Sequence, residues 1–439
     1  MRRPKNSNLW MWVAGLSLFL GGARALAQGG LWTTKAPLPS PVAAAASGVI
    51  NGKLYLAGGF NLASGCLAST LVYDPATNTW EARAPMPAAR DEAVGAVVDG
   101  VLYVIGGSND QGSTLRTVEA YDPNTNTWSE KAPMPTPRSA AAEGVVGGVI
   151  YVAGGWGYLG PNLKTLEAYD PKTNTWTTEA PVPTGRFGAA SAVIGGILYL
   201  AGGMQAGTGG TSLRTVEAYN PRTNSWSTRT QAPYQFGWSA VTGVIAGKFY
   251  VAGGYDLTQN GSFTIRNNLS AYDPGSDSWL LEPSMPTGRL SAGGGGVGDV
   301  LYVVGGEACV GFGFCSSPIV AANEAFSPYL PVGIRVNPAT INLRSNAKIK
   351  VAILSTSMFD ATSVIPDSVK LSGALAETER NGTPIFSFDD VNDDGILDMV
   401  LTFRARDLQL TKADKQVVLK GQTFAGQLIK GVATVRIVP

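Results

Sequence analysis

The stretch Gly147–Pro183 decides the fold of this chain. It begins Gly-Gly-Val-Ile-Tyr-Val-Ala-Gly-Gly, continues after a loop with Thr-Leu-Glu-Ala-Tyr-Asp-Pro-Lys-Thr-Asn-Thr-Trp, and ends Thr-Thr-Glu-Ala-Pro-Val-Pro. An apolar run that stops at two glycines predicts a buried strand, and the Asx-Pro corner predicts a turn after a further strand. The stretch therefore predicts short strands separated by turns.

This pattern occurs six times in the chain. Gly-Gly doublets close apolar runs at Gly58-Gly59, Gly106-Gly107, Gly154-Gly155, Gly202-Gly203, Gly253-Gly254 and Gly305-Gly306, which are spaced by 48, 48, 48, 51 and 52 residues. A period near 50 residues indicates a repeat architecture in which each copy is one supersecondary unit.

An aromatic-Asx-Pro corner follows five of the doublets, and a Trp lies seven residues after each corner tyrosine. The corners are Tyr73-Asp74-Pro75, Tyr121-Asp122-Pro123, Tyr169-Asp170-Pro171, Tyr219-Asn220-Pro221 and Tyr272-Asp273-Pro274. The strand ending in two glycines, the corner and the Trp stand in the order found in the kelch family. About residues 31–330 resemble that family, which implies an all-β propeller whose blades each have four strands.

The two ends of the repeat region complement each other. Residues Trp32–Pro39 match Trp80–Pro87 and look like an outer strand with no blade before it, whereas the sixth copy reaches its corner at Pro328 without a Trp. A sixth blade that takes its outer strand from the N-terminus explains both gaps, because closure leaves no unpaired edge. We therefore expect six blades, closed by the N-terminal strand.

Within each copy, the pattern predicts strands that follow one another from the propeller axis outwards. The innermost strands are rich in Ala, Gly and Ser, as expected where six strands converge, and the second strand, such as Val149–Ala153, is a continuous apolar run typical of burial on both faces. The predicted inner strands include Ala43–Ile50, Ala140–Val146, Gly188–Ile194 and Ser291–Val297.

Four copies carry an Arg sixteen residues before the doublet and a Glu two residues before the corner aromatic. The Arg and Glu residues are Arg90 with Glu119, Arg138 with Glu167, Arg186 with Glu217, and Arg289 with Glu324. Copies one and five lack both, with Val42 and Leu71 in one and Gly237 and Ser270 in the other. Their joint presence predicts an ion pair inside each blade rather than an anion site, because a buried charge without its partner is costly.

Aromatic residues gather in the loops that join second to third strands, together with the link into copy five. They are Phe60, Trp156, Tyr158, Trp238, Tyr255, Phe263, Phe312 and Phe314. Exposed rings on a rigid scaffold suit a glycan or protein ligand, whereas rings that only pack against neighbouring loops have no such role. Both interpretations stay open at this point.

The repeat pattern is absent from residues 331–439. Their sequence predicts about seven short strands, which favours a small immunoglobulin-like sandwich. The predicted strands are Ile334–Val336, Ile349–Leu354, Val369–Leu371, Ile385–Phe388, Met399–Phe403, Val417–Leu419 and Thr434–Val438. The segments Val351–Thr356 and Phe359–Val364 resemble a C-terminal module that occurs on many secreted bacterial proteins.

This module contains the segment Asp-Val-Asn-Asp-Asp-Gly-Ile-Leu-Asp. Side-chain oxygens of Asp390, Asn392, Asp394 and Asp398, the carbonyl of Ile396 and a turn glycine at Gly395 have the spacing that a calcium loop needs. Leu401 stands where an EF-hand has its Glu, so the loop resembles the helix-free calcium loops of extracellular β proteins. The alternative is an Asx-rich turn without metal.

The N-terminus predicts export. A basic start, an apolar run over Leu9–Leu20 and Ala25-Leu26-Ala27 form a signal peptide, residues 1–27, with cleavage after Ala27 and no membrane span afterwards. The propeller then covers 28–330. In an oxidising compartment we expect Cys309 and Cys315 to pair and Cys66 to stay free, unless it reaches one of them from a neighbouring first blade.

Composition restricts the function. A net charge of +1 gives no bulk attraction for nucleic acid, and the absence of any His excludes Ser-His-Asp hydrolysis and the copper-radical oxidases known among secreted kelch proteins. We expect a monomeric, secreted, non-catalytic protein that binds a glycan or an extracellular protein. The alternative is a sugar mutarotase that resembles the kelch enzymes acting on sialic acid, with Glu143, Asp91 and Glu92 as candidate acid/base groups.

Overall fold

The computed structural model describes residues 30–157, 162–205, 211–238, 240–257, 263–308 and 318–438. Within these residues the protein is all-β, and its only helical segments are the 3-10 turns Ala361–Ser363, Pro366–Ser368 and Ala405–Asp407. Six four-stranded antiparallel sheets, the blades, use residues between Leu31 and Ser327, and a separate sandwich begins at Tyr329. The predicted all-β propeller architecture is confirmed. No helix of the described residues has the length and apolarity needed to cross a membrane.

Each blade has an inner, a second, a third and an outer strand. The inner strands are Ala46–Ile50, Val94–Val98, Ala142–Val146, Ala190–Ile194, Val241–Ile245 and Gly293–Val297. The second strands are Lys53–Ala57, Val101–Ile105, Val149–Ala153, Ile197–Ala201, Lys248–Ala252 and Val300–Val304. The third strands are Thr70–Asp74, Val118–Asp122, Leu166–Asp170, Val216–Asn220, Leu269–Asp273 and Asn323–Ser327. The outer strands are Thr79–Arg83, Thr127–Lys131, Thr175–Glu179, Ser225–Arg229, Ser278–Glu282 and, in blade six, Leu31–Thr34.

The blades form a ring. Each inner strand lies beside the inner strand of the next blade, and that of blade six lies beside that of blade one. Leu31–Thr34 pairs antiparallel with Asn323–Ser327, and Trp32 stands opposite Phe326. The N-terminal segment thus supplies the outer strand of blade six.

The outer-strand tryptophans join neighbouring blades. The indole N–H of Trp80 donates to the carbonyl of Ala36, 2.9 Å away, in the link that follows the outer strand of blade six. The bond recurs around the ring as Trp128 to Ala84, Trp176 to Ala132, Trp226 to Ala180, Trp279 to Thr230 and Trp32 to Pro283. Each ring also packs against a buried third-strand aromatic, for example Trp80 on Tyr73 with centroids 5.0 Å apart. These aromatics therefore hold the blades together.

The inner strands begin later than predicted. Ala44, Ala140, Gly188 and Ser291, which were expected within strands, have φ between 48° and 61°, as does Glu92 of blade two at 50°. This left-handed conformation interrupts the extended chain, so pairing with the second strand starts two residues further on.

These five residues form a belt of backbone hydrogen bonds around the axis. Ala44 N–H donates to Ser291, Glu92 N–H to Ala44, Ala140 N–H to Glu92, and Gly188 N–H to Ala140, at 2.7 to 3.0 Å. A left-handed non-glycine residue costs about 1 kcal/mol or more, and the belt bonds between blades offset that cost. The loops between second and third strands lie at the same end of the blades as this belt.

Three of those loops form small hairpins, in which Phe60–Asn61 pairs with Gly65–Cys66, Met204–Gln205 with Thr211–Ser212, and Tyr255–Leu257 with Phe263–Ile265. In blade six the loop strand Glu307–Ala308 pairs instead with Arg289–Leu290, which precedes the inner strand. We call the surface that carries these hairpins the loop face.

The structure brings together all four predicted Arg–Glu pairs. The Nη2 atoms of Arg90, Arg138 and Arg186 lie 2.7, 2.6 and 2.6 Å from their glutamates, Arg289 contacts Glu324, and every one of these side chains is buried. Each arginine also bonds to blade backbone; Arg138 Nη1, for instance, donates to the carbonyls of Gly154 and Thr165. The pairs therefore cross-link strands inside each blade, and their buried side chains are not available to bind a ligand.

The prediction that Gly237 occupies the Arg position of blade five was wrong. The backbone carbonyl of Phe236 accepts a hydrogen bond from Gly203 N–H. In the blade before, the carbonyl of Arg186 accepts the equivalent bond from Gly155 N–H, so Phe236, not Gly237, stands at the Arg position. Blade five has one extra residue between this position and its doublet, so counting sixteen residues back misses it by one. Phe236 is buried and packs near Trp279, while Ser270 takes the glutamate position.

The C-terminal part is a sandwich of two sheets around one core. One sheet runs Tyr329–Pro331, Leu428–Thr434, Gln416–Gln422, Lys370–Leu371 and Ala374–Leu375; the other runs Ile334–Asn337, Lys348–Ile353, Asp398–Arg404 and Phe386–Asp389; Thr340–Asn342 pairs with Arg436–Val438. Leu428–Thr434 was not predicted, because Lys430 and Gly431 interrupt its apolar pattern. A Cβ on Gly431 would lie 2.4 Å from Ile334, so close packing requires the glycine.

The sandwich is joined to blade six. Asp299, in the turn between the inner and second strands, accepts ion pairs from Lys420 at 2.6 Å and Lys430 at 3.1 Å. Tyr329 and Leu428 extend the apolar core between blades five and six. These contacts lie at the turn end of the blade, opposite the loop face.

We predict that Glu167→Leu lowers the free energy of unfolding by about 3 to 5 kcal/mol, because it leaves Arg138 buried without its partner. Blade one provides a matched control, since it carries Val42 and Leu71 at the same positions. The double variant Arg138→Val with Glu167→Leu should recover much of the loss in a denaturant titration. Additive losses from the two single changes would contradict a coupled pair.

Candidate functional site

The inner strands surround a central cavity of about 440 Å³, and the belt residues line its end on the loop-face side, which we call the mouth. Its wall is mostly backbone and small side chains, because the strands approach too closely for larger ones. A Cβ on Gly95, for example, would lie 2.4 Å from the carbonyl oxygen of Ser47. Among the described lining residues the charged side chains are Glu92 and Glu143, and no Lys or Arg lines the cavity.

Glu143 lies on the inner strand of blade three. The equivalent residues of the other blades are Ser47, Gly95, Ser191, Thr242 and Gly294, so its carboxyl is the one charged group at this level of the channel. Ser191 of blade four contacts both its backbone N–H and its carboxyl, at 3.2 and 3.4 Å. Burial raises the pKa of Glu143 to about 7, because the channel solvates a carboxylate poorly.

Glu92 is the belt residue of blade two and stands at the mouth. Its carboxyl accepts a 3.0 Å hydrogen bond from the hydroxyl of Ser139 in blade three. Burial, followed by the nearby Asp91 carboxylate, raises its pKa to about 7. Two carboxyls of similar acidity therefore line one cavity.

Asp91 does not join them. It lies among the loops between blades one and two, where its backbone pairs with Ser108, and it is absent from the cavity wall. Burial raises its pKa, and its Oδ1 atom is buried without a hydrogen-bond partner among the described residues. Of the two adjacent acids only Glu92, which has the left-handed conformation, lines the cavity.

The predicted aromatic residues split into packed and exposed rings. Trp156 is 39% exposed and meets Phe187 edge to face at 5.1 Å, and Phe187 meets Trp238 in the same way at 5.3 Å. Ala140 of the belt, Met204 and Tyr255 pack around these rings. We call Trp156, Phe187 and Trp238 the aromatic cluster; it borders the belt at blades three to five.

The remaining aromatic predictions have mixed outcomes. Phe60 is half-buried and pairs through its backbone with Ala43, while the strand that starts at Phe263 pairs with the one that starts at Tyr255. Tyr158, Phe312 and Phe314 lie outside the described residues, as do Cys309 and Cys315 and the signal peptide, residues 1–27.

Cys66 is buried and forms no disulfide with any residue that the structure describes. Its backbone N–H donates to Asp110 Oδ1 at 2.7 Å and its Sγ lies 3.8 Å from the carbonyl of Ser108, so it faces blade two. Burial raises the pKa of the thiol to about 12. An unreactive, protonated thiol follows from this environment.

The candidate calcium loop closes on itself. Asp390 accepts bonds from the backbone of Asp394 and Gly395, at 3.0 and 2.8 Å, and Asp398 accepts from Ser355 and Val391. Asn392 Oδ1 is buried without a hydrogen-bond partner among the described residues, which is the kind of atom a cation would satisfy. No group of three or more acidic side chains in the described residues converges tightly enough to hold a metal.

Sequence reasoning missed Ser139 and Ser191, which bond to the two channel glutamates from neighbouring blades. It also missed Phe187, which connects the two tryptophans of the aromatic cluster. These residues share one signal that was present in the sequence: they lie next to, or just after, the belt positions of the 48-residue repeat.

Comparisons with known proteins agree with this architecture. A family model of the KLHDC2/KLHL20/DRC7 Kelch-repeats domain matches residues 30–180 and 131–306. No curated protein matches the chain. The solved structure of YjhT is similar with a TM-score of 0.55 and 21% identity over 66% of this chain and 96% of that chain, a likeness that shows the fold alone. Because the family matches cover well over half of the sequence, the chain belongs to the kelch-repeat family.

Proposed function

We propose that this chain is a secreted binding protein that takes a sugar, or a similar small polyhydroxylated ligand, at the loop-face mouth of its propeller channel. The observation that carries the proposal is that two carboxyls, Glu92 and Glu143, line the channel while Phe187 and Trp238 of the aromatic cluster pack with Ala140, a belt residue of the same cavity wall. Export rests on the N-terminal sequence, whose basic start and apolar run form a signal peptide.

Sugars suit this combination of groups. Their hydroxyls donate to carboxylates, and a hydrogen bond to a charged group contributes about 1.5 to 3 kcal/mol. Their apolar faces pack on aromatic rings, and Trp156 remains 39% exposed to receive one. A cavity of about 440 Å³ lies in the size range of small-molecule sites, which favours a small ligand over a protein at this point.

A glycan array followed by calorimetry on the mature protein tests the binding function. We expect a free saccharide to bind, and Glu92→Gln to weaken binding about tenfold, since the neutral amide is a weaker acceptor than the carboxylate. The matched control is Glu130→Gln, an exposed glutamate on an outer strand, which should bind as the unaltered protein does. Absence of any saccharide binding, or equal affinity in Glu92→Gln, would contradict the proposal.

A second function is favoured by the acidity of the channel carboxyls. Groups with a pKa of about 7 both donate and accept protons at neutral pH, which general acid/base catalysis requires. The alternative is therefore a sugar mutarotase, in which Glu143 and Glu92 move protons during opening and closure of the sugar ring. Asp91 has no part in this version, because it lies outside the channel.

Glu143→Gln separates the two functions. Polarimetry should show loss of anomer interconversion if the protein is a mutarotase, and no activity in either protein if it only binds.

Because burial raises the pKa of Glu143 above its unfolded value, the protonated acid is favoured in the fold and stability falls as pH rises from about 4.5 to about 7. The variant should thus match the unaltered protein in thermal stability near pH 4.5 and exceed it near pH 8; equal stability at both would show that Glu143 is not buried as described.

We also propose a structural calcium ion in the loop Asp390–Asp398, supported by the unpartnered Asn392 Oδ1 and by the ligand spacing. Calcium at a hundredfold excess over Kd should stabilise the sandwich by about 2.7 kcal/mol, measured as a shift in its thermal transition. Asp390→Asn should reduce that shift, while Asp407→Asn, an exposed acid outside the loop, should not. An unchanged transition in millimolar calcium would leave the loop as an Asx turn.

A further inference from the structure

Trp238 lies in a segment of blade five that is one residue longer than its counterpart in the blades that carry the Arg. From Phe236 to Gly253 there are 17 residues, whereas Arg90, Arg138, Arg186 and Arg289 each precede their doublets by 16. Before Trp238, the N–H of Gly237 donates to the backbone carbonyl of Tyr255. After it, pairing of the inner with the second strand begins at Val241, opposite Ala252. The added residue falls between these two points, where the other blades have their belt residue.

The extra residue allows Trp238 to reach other blades. Its ring lies 5.3 Å from Phe187 at an interplanar angle of 88°, next to the belt residue Ala140. Its indole Nε1 is buried and has no hydrogen-bond partner among the described residues. Ala140, which packs beside Trp238, donates its backbone N–H to the carbonyl of Glu92 at 3.0 Å, so Trp238 and Glu92 of blade two border the same part of the belt. The indole N–H lowers the pKa of the Glu92 carboxyl, in opposition to burial. The two groups thus stand near each other without a formed bond.

The negative charge at the mouth limits which ligands can enter between Trp238 and Glu92. The carboxylates of Asp91 and Glu307 are near enough to raise the pKa of Glu92, and the hydroxyl of Ser139 donates a hydrogen bond to its carboxyl. No Lys or Arg lines the described cavity, and the sequence of the propeller segments outside the described residues contains none. An anionic ligand would meet uncompensated negative charge here.

We propose that Trp238 and Glu92 form the specificity element of the channel, holding between them one hydroxyl of a neutral polyhydroxylated ligand. This inference rests on the proposed function. An indole N–H only donates and a carboxylate only accepts, so a hydroxyl, which does both, satisfies the two together. The exposed ring of Trp156, which packs edge to face on the buried Phe187, offers an apolar surface for the ligand beside that hydroxyl.

The first test uses calorimetry with neutral methyl glycosides of hexoses and with N-acetylneuraminic acid as the anionic probe. We expect neutral glycosides to bind at least tenfold more tightly than the acid. Trp238→Phe, which keeps a ring but loses the N–H, should weaken that binding about tenfold. The loss in a double variant with Glu92→Gln should be less than the sum of the single losses, since one hydroxyl serves both groups.

Trp226→Phe is the matched control, because its N–H bonds to Ala180 at the outside of the ring. It should lower stability and leave affinity unchanged. Equal affinity of Trp238→Phe, additive losses in the double variant, or tighter binding of N-acetylneuraminic acid would overturn the inference while leaving sugar binding intact. Failure of every glycoside and of the acid to bind would overturn the proposed function and, with it, the inference.

A ligand-free measurement tests the approach of the two groups by itself. The fluorescence difference between the unaltered protein and Trp238→Phe isolates the emission of Trp238. It should titrate near pH 7 as Glu92 ionises and lose that transition in Glu92→Gln. A flat profile between about pH 5 and 9 would mean that Trp238 does not stand beside Glu92, and would overturn the specificity element whatever the sugar panel gives.

Discussion

Crowding of six strands around one axis is the constraint on which the rest of the molecule depends. Neighbouring inner strands approach so closely that a methyl group on Gly95 would clash with the backbone of Ser47. Small residues satisfy this constraint but cannot fill the axis, so a cavity remains. A longer side chain on an inner strand then projects into a narrow space that is poorly solvated, as that of Glu143 does. The chemical character of the channel is thus a consequence of how the blades pack.

The buried ion pairs show a second solution to a packing problem. Four blades use Arg with Glu, whereas blade one uses Val42 with Leu71 and blade five uses Phe236 with Ser270 at the same places. Buried pairs and apolar side chains of similar volume can contribute similar net stability, because desolvation offsets much of the attraction between the charges. Variation among blades is therefore compatible with one common backbone.

The sequence predicts the repeated parts well and the exceptions poorly. Strand order, the pairing of Leu31–Thr34 with the last blade and the Arg–Glu pairs follow from residues that recur at a constant spacing. The belt was missed because four of its five left-handed residues are Ala, Glu or Ser, which carry no turn signal of their own. Phe236 was misplaced by one residue because an insertion breaks the count. In the site, Glu92 and Glu143 were identified by residue type, but only the fold separates Asp91 from them and places Trp238 near Glu92.

The pairing of Trp32 with Phe326 has a consequence for biosynthesis. These partners lie almost three hundred residues apart, so the ring cannot close until nearly the whole propeller has left the ribosome. Until then the nascent chain presents two complementary strand edges, and long-range pairing of this kind is slow. During that interval a second copy of the chain offers the same edges. The concentration of newly made chains thereby influences whether each ring closes on itself or exchanges its first strand with a neighbour.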